Sequence, residues 1–108
     1  MYYVYILRCS DGSLYIGHTA NLDSRLQAHN TGLGAAHTFR RRPVTLTYSE
    51  PHSTRVAAIH RERQLKRWTR KKKEALIRGD FEGLKALSKR RQRSAITSAT
   101  PAQDEDSR

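Results

Sequence analysis

Tyr3-Val4-Tyr5 and Tyr15-Ile16-Gly17 stand near the start of the chain, with Ser10-Asp11-Gly12 between them. Arg25 and His29 follow four residues apart, and Glu62 lies further on in a basic stretch. Phenols and an imidazole can move protons, and a guanidinium can bind a phosphate and offset charge that develops on it. A carboxylate can hold a hard divalent cation. Together these are the groups that hydrolysis of a phosphodiester requires. Each has a plainer use as well. Strand tyrosines pack, and helical Arg and His are commonly solvated. Glu62 can be half-exposed and paired with Lys66 at i+4, or it can be a buried ligand. Burying it costs several kcal/mol, roughly, unless a cation or hydrogen bonds offset the loss.

The elements that must position these groups can be read from pattern. Tyr2 to Cys9 is aromatic and β-branched and reads as a strand, with Leu14 to Gly17 as its partner. A three-residue loop, Ser10-Asp11-Gly12, pairs Leu7 with Tyr15 and Tyr5 with Gly17, and places Gly12 in the left-handed position of a bulged turn. Val4, Ile6, Leu14 and Ile16 then share one face, and Tyr3, Tyr5 and Tyr15 the other. A two-residue loop would split Tyr5 from Tyr15. The three-residue register is expected to turn Tyr5 and Tyr15 toward Arg25, His29 and Glu62.

Asn21 is a good N-cap for a helix from Leu22 to Asn30 that Gly32 ends. On that helix Arg25 and His29 are neighbours. Residues 31–42 read as a basic loop. Pro43 to Glu50 alternates Val44, Leu46 and Tyr48 against Thr45, Thr47 and Ser49, which predicts a third strand. A helix is expected from Arg55 to Trp68. Thr69 caps a second piece ending at Arg78 and Gly79, and Asp80 caps a last one through about Arg91. From Ser94 on there is no periodicity, so residues 92–108 are expected to be a disordered polar tail. Residues 1–91 would form one domain.

The 108 residues carry a net charge of +11. Residues 55–93 hold fifteen basic and four acidic side chains, against five and three in residues 1–54. Such a cluster suits a polyanion, although a solvated Arg-rich face would have the same composition. Arg41, Arg42, Arg63, Lys66, Arg67, Arg70, Lys72 and Lys73 are the candidate nucleic-acid contacts. No apolar run approaches the ~20 residues of a membrane span. A lone cysteine, Cys9, excludes an internal disulfide and leaves a reducing cytoplasm as the expected compartment. His18, His37, His52 and His60 show no ligand spacing, which argues against zinc.

The ordered set Tyr3-Val4-Tyr5, Tyr15-Ile16-Gly17, Arg25-x-x-x-His29 and Glu62 resembles the GIY-YIG endonuclease superfamily, in its small stand-alone bacterial branch. Thr38, Arg41-Arg42-Pro43-Val44, Tyr48-Ser49-Glu50 and Glu62 to Trp68 extend the likeness, which covers about residues 2–90. The resemblance implies an α+β fold, a three-stranded antiparallel sheet flanked by helices, and metal-dependent cleavage of DNA, in repair or recombination. By that likeness Glu62 holds one divalent ion, Mg²⁺ or Mn²⁺. Tyr5 orients or deprotonates water, Tyr15 and His29 share its hydrogen-bond network, and Arg25 stabilises the phosphate. Whether Tyr5 or His29 takes the proton is left open. The first triplet departs from Gly-Ile-Tyr, and Asp80 stands where many relatives carry Asn. A basic binding module with an inactive or partner-dependent nuclease site is the alternative, with a protein partner supplying specificity.

Overall fold

The computed structural model describes residues 1–88 in two units, 1–67 and, from Trp68 onward, 68–88. The expected tail falls outside the described residues. In the first unit three strands form one antiparallel sheet: β1 (Tyr2–Arg8), β2 (Leu14–Thr19) and β3 (Thr45–His52), in the order β2-β1-β3.

The β1–β2 hairpin closes as its sequence dictates. Cys9 N donates to Ser13 O at 2.8 Å, Gly12 N donates to Cys9 O at 2.9 Å, and Gly12 has φ +85°. An L side chain is disfavoured there, and glycine is not. Asp11 Oδ1 accepts from the backbone N and the hydroxyl of Ser13, at 2.9 and 2.7 Å. Leu7 therefore faces Tyr15, and Tyr5 faces Gly17. The expected register holds.

The third strand departs from its alternation. Ile6 pairs with Tyr48 but Leu7 pairs with Leu46, so Thr47 is the extra residue of a bulge. Its hydroxyl donates to Ile6 O at 2.9 Å. The bulge turns Tyr48 to the face of Val4 and Ile6 and leaves Leu46 on the face of Leu7. Val44, Leu46 and Tyr48 thus do not share a face, contrary to the straight alternation. The strand also starts two residues late and runs through Pro51, which an edge strand tolerates.

Each face of the sheet carries its own layer. On one, Tyr5, Leu7, Cys9 and Val44 pack with Tyr15, Leu22 and Leu26, the last two from α1 (Leu22–Asn30). Asn21 caps α1 by accepting from Ser24 N at 3.0 Å. At its other end the Asn30 side chain donates to Val44 O and accepts from Val44 N, at 3.1 and 2.7 Å, tying α1 to the entry of β3. The stretch expected as pure loop contains a short α2 (Ala36–Phe39). On the opposite face α3 (Arg55–Lys66) packs against the strands, with Val4, Ile6 and Ile16 buried on the sheet and Ala58 and Leu65 on the helix. Full burial of the Val, Ile and Leu side chains among these is worth about 1.5–3 kcal/mol each.

In the second unit Thr69 accepts from Lys72 N at 3.2 Å and starts α4 (Arg70–Arg78). Gly79, at φ +71°, ends it. Asp80 accepts from Gly83 N at 2.9 Å and caps α5, residues 81–88. These caps are the expected ones, and α3 ends two residues earlier than expected.

Candidate functional site

Tyr5 is 2% exposed, yet its hydroxyl is placed to work because Gly17 stands opposite it. A Cβ at Gly17 would lie 2.5 Å from the Tyr5 hydroxyl oxygen and 3.3 Å from the Tyr15 ring. Only a residue without a side chain lets the phenol lie across β2. The Tyr5 hydroxyl is 3.1 Å from His29 Nε2, and His29 Nδ1 is 2.8 Å from Thr38 Oγ1. His29 is 1% exposed and Thr38 0%. Tyr15 completes the aromatic cluster, its ring centroid 5.2 Å from that of His29 and 6.5 Å from that of Tyr5. On its other side Tyr15 stacks with His37 at 5.9 Å. The backbone of Gly34 runs against the His29 ring, where a Cβ would overlap Nδ1.

Electrostatics define the resting state. Burial, with help from Tyr15, pushes the Tyr5 phenol up to about 12, while the adjacent Arg25 guanidinium pulls it down. Burial also lowers the His29 pKa, and Arg25 lowers it further. The site at neutral pH is therefore a protonated phenol beside a neutral imidazole. Arg25 is exposed on α1, its charge acts on the Tyr5 hydroxyl, and it has no carboxylate partner among the described residues.

Glu62 arrives from the other side of the sheet, which corrects the expectation that Tyr5 and Tyr15 simply face it. Its Oε1 is bonded to His18 Nδ1 at 2.5 Å, and its Oε2 to Lys66 Nζ at 2.6 Å. His18 follows Gly17 in β2, so the pleat points it to the α3 face. Burial alone would raise the Glu62 pKa, but the bonds from Lys66 and His18 outweigh burial and hold it below the ordinary value. Its charge is felt at Tyr5, raising the phenol further. His18 had shown no ligand spacing. Its place one residue after Gly17, on the opposite pleat, was the signal that could have found it.

A hard divalent ion fits Glu62 in one mode. One protein carboxylate, with water and substrate phosphate, is a common way to hold Mg²⁺. Among the described residues no group of three His, Cys, Asp or Glu could hold a metal without substrate. The ion would take the oxygen that Lys66 occupies, and the Lys66 side chain is 52% exposed and able to leave.

The basic residues divide. Arg63, Lys66 and Arg67 are exposed at the end of the first unit. Arg41 instead braces the hairpin: its Nε donates to Asp11 Oδ2 at 3.0 Å and another guanidinium N–H to His37 O at 2.8 Å. Ser13 and Arg41 together lower the Asp11 pKa to about 2. Arg42 donates to Phe39 O at 2.7 Å and lies over the Phe39 ring at 4.7 Å. In the second unit Arg70 pairs with Glu74 at 2.9 Å, and Lys73 is half-buried. Lys72 corrects the expectation of a phosphate contact. It is 5% exposed, and its ammonium sits 4.2 Å over the Trp68 ring.

A second polar cluster was not foreseen. Glu50 accepts from the Tyr48 hydroxyl (2.6 Å), His52 Nε2 (2.7 Å) and Arg61 Nε (2.8 Å). Burial would raise the Glu50 pKa, but these three bonds hold it below the ordinary value, while burial and Glu50 push Tyr48 up to about 12. The cluster fastens β3 to α3.

Comparison with known proteins places this geometry. The family model for the GIY-YIG catalytic domain matches residues 1–75. A UPF0213 protein of Bacillus pumilus is 50% identical over 76 residues, covering 70% of this chain and 78% of its own. One from Staphylococcus aureus is 47% identical over 77 residues, covering 71% and 94%. The solution NMR structure of protein EF2693 from E. faecalis superposes with a TM-score of 0.52 at 40% identity, covering 74% of this chain and 85% of that one. With two-thirds of its length inside the family model and the sheet, α1 and α3 bringing the motif residues together, the chain belongs to the GIY-YIG catalytic domain family.

Proposed function

We propose that the protein is an endonuclease that hydrolyses phosphodiester bonds in DNA with one divalent ion, Mg²⁺ or Mn²⁺, at Glu62. The observation that carries this reading is the buried Tyr5–His29 hydrogen bond beside Arg25, an exposed cation with no carboxylate partner among the described residues. A phosphate placed against Arg25 brings its phosphorus next to the Tyr5 hydroxyl.

The steps follow from the resting protonation. A water oxygen attacks phosphorus as the bond from phosphorus to the leaving sugar oxygen breaks. A phenol with a pKa near 12 holds its proton at neutral pH and does not act as a base alone. It relays instead: Tyr5 takes the proton of the attacking water as its own passes to His29 Nε2. Arg25 offsets charge on the non-bridging oxygens. When bound, the ion supplies charge neutralisation at the phosphate and the leaving oxygen. Exposed Arg63 and Arg67 add sequence-independent phosphate contacts, so specificity comes from DNA shape or from a protein partner. No helix among the described residues is long and apolar enough to cross a membrane. A reducing cytoplasm, where DNA is accessible, suits this reading.

A second reading is a basic DNA-binding module with a silent site. It is favoured by the two bonds that already occupy both oxygens of Glu62. Incubation with branched, flapped, single-stranded and plasmid DNA, with Mg²⁺ or Mn²⁺, decides between them. Cleavage that Glu62→Ala and Arg25→Ala abolish supports the nuclease. Salt-sensitive binding without cleavage, or equal cleavage by Glu62→Ala, supports the second reading.

A further inference from the structure

Thr38 lies on α2 and is fully buried against His29. A threonine hydroxyl carries one proton and can accept as well. Here that proton goes to Ala35 O, at 2.9 Å. The same oxygen is 2.8 Å from His29 Nδ1. With its own proton committed, Thr38 Oγ1 can only accept from the ring, so Nδ1 carries the hydrogen. A neutral imidazole has one N–H. Nε2 is then the bare nitrogen, and it faces the Tyr5 hydroxyl at 3.1 Å. Were the ring in its other form, Nε2–H would point at Tyr5, and the phenol would have no acceptor there for its proton.

We infer that Thr38 is a positioning residue that fixes His29 in the Nδ1–H form, so that Nε2 stands ready to receive the proton of Tyr5. The local structure is built to deliver it. Ala35 O also accepts the backbone N–H of Thr38 and of Phe39, at 3.1 and 3.2 Å, so α2 is the turn that holds the hydroxyl in place. Gly34 lets the preceding backbone lie flat on the ring, and any side chain there would push the imidazole off both partners. Tyr5, His29 and Thr38 thus form a line of nucleophile activator, base and orienter, the arrangement by which a third group sets the ring form of a catalytic histidine. The catalytic consequence rests on the nuclease reading; the ring form does not.

The test separates the two. In ¹⁵N-labelled protein, ring nitrogen shifts of His29, assigned by its loss in His29→Gln, report which nitrogen is protonated. The expected result is Nδ1–H in the free wild-type protein. Nε2–H there would overturn the inference, whether or not the protein cuts DNA. Thr38→Val keeps the shape and removes the hydroxyl. It is expected to give a mixed ring form and to lower kcat about tenfold to a hundredfold at unchanged KM. Thr38→Ser restores the hydroxyl and is expected to recover kcat to within about threefold of wild type, since the orienting bond is remade. Unchanged kcat in Thr38→Val, or no recovery in Thr38→Ser, contradicts the role. Should Thr38→Val fail to fold, the wild-type ring form and Thr38→Ser still decide. Should wild type cleave nothing, the nuclease reading fails while the ring measurement stands.

Discussion

Two clusters flank β1, and they are made of nearly the same side chains. On the α1 side are Tyr5, His29 and Arg25; on the α3 side are Tyr48, His52, Arg61 and Glu50. In both a tyrosine, buried at Tyr5 and half-buried at Tyr48, is pushed up to about 12. The difference is the carboxylate. Glu50 sits at the centre of its cluster and collects the phenol, the imidazole and the guanidinium, so the charge is neutralised internally. The Tyr5 cluster has no carboxylate at its centre. Its phenol is directed to a neutral imidazole, and its guanidinium is left facing outward. A closed cluster fastens two elements together; an open one has capacity for an anionic substrate. Residue types alone do not distinguish them.

The sharpest contrast is between the two arginines. Arg25→Ala is expected to lower kcat for DNA cleavage by about 10²–10³-fold with little change in melting temperature. Arg61→Ala should leave most activity and cost about 1–3 kcal/mol of stability, because Glu50 loses a charged donor. Paired activity assays and thermal melts read both. Next is Gly17→Ala, which forces a methyl into the space of the Tyr5 hydroxyl. It should cost about 1–3 kcal/mol by overpacking and reduce cleavage, since the phenol must move away from His29.

Acid should reach the two clusters in order. The folded pKa of His29 lies below 6.5, so its contribution to stability is whole above that value. It is lost as pH falls below 6.5 toward the folded pKa, because the unfolded chain binds that proton first. Glu50 has its folded pKa below 4.5, so its share is whole above 4.5 and lost as pH falls through the folded value. Urea unfolding across pH should therefore show two declines. Glu50→Gln should reduce the lower one and leave the upper. The smallest effect is expected at Lys66. Lys66→Met removes an exposed helix pair worth about 0.3–0.5 kcal/mol, yet it uncovers one oxygen of Glu62. Titration with Mn²⁺ should show about twofold tighter binding in the variant, which is what that energy amounts to; equal binding would mean that Lys66 does not stand in the cation's place.

Much of this was legible before the fold. Gly12 and the alternation of Val4, Ile6, Leu14 and Ile16 set the hairpin register, and with it the approach of Tyr5 to Gly17. Asn21 and Gly32 bounded α1, and Thr69 and Gly79 bounded α4, because capping groups are local chemistry. Three kinds of information were missing. The bulge at Thr47 carries no marker residue, so the alternation of β3 was read straight through it. The four residues of α2 are too few to show a helical period, so Thr38 and Gly34 had no visible connection with His29. The basic run at residues 70–73 looked uniformly exposed, although one position of any such run on a helix must face inward; here it is Lys72. Tyr48, Glu50 and His52 stand at every second residue of β3, a spacing that was readable as one face.

On the nuclease reading the Tyr5 phenol is a proton relay on one side of β1, whereas the Tyr48 phenol is a fastening on the other. Steady-state cleavage of a labelled DNA substrate by Tyr5→Phe and Tyr48→Phe, each with its melting curve, tests that claim directly. Tyr5→Phe should still fold, lose about 1–2 kcal/mol of stability with its bond to His29, and lose about 10²-fold or more in kcat. Tyr48→Phe should keep its activity and lose about 1 kcal/mol of stability with its bond to Glu50. Full activity in Tyr5→Phe, or equal loss of activity in both variants, would contradict the account.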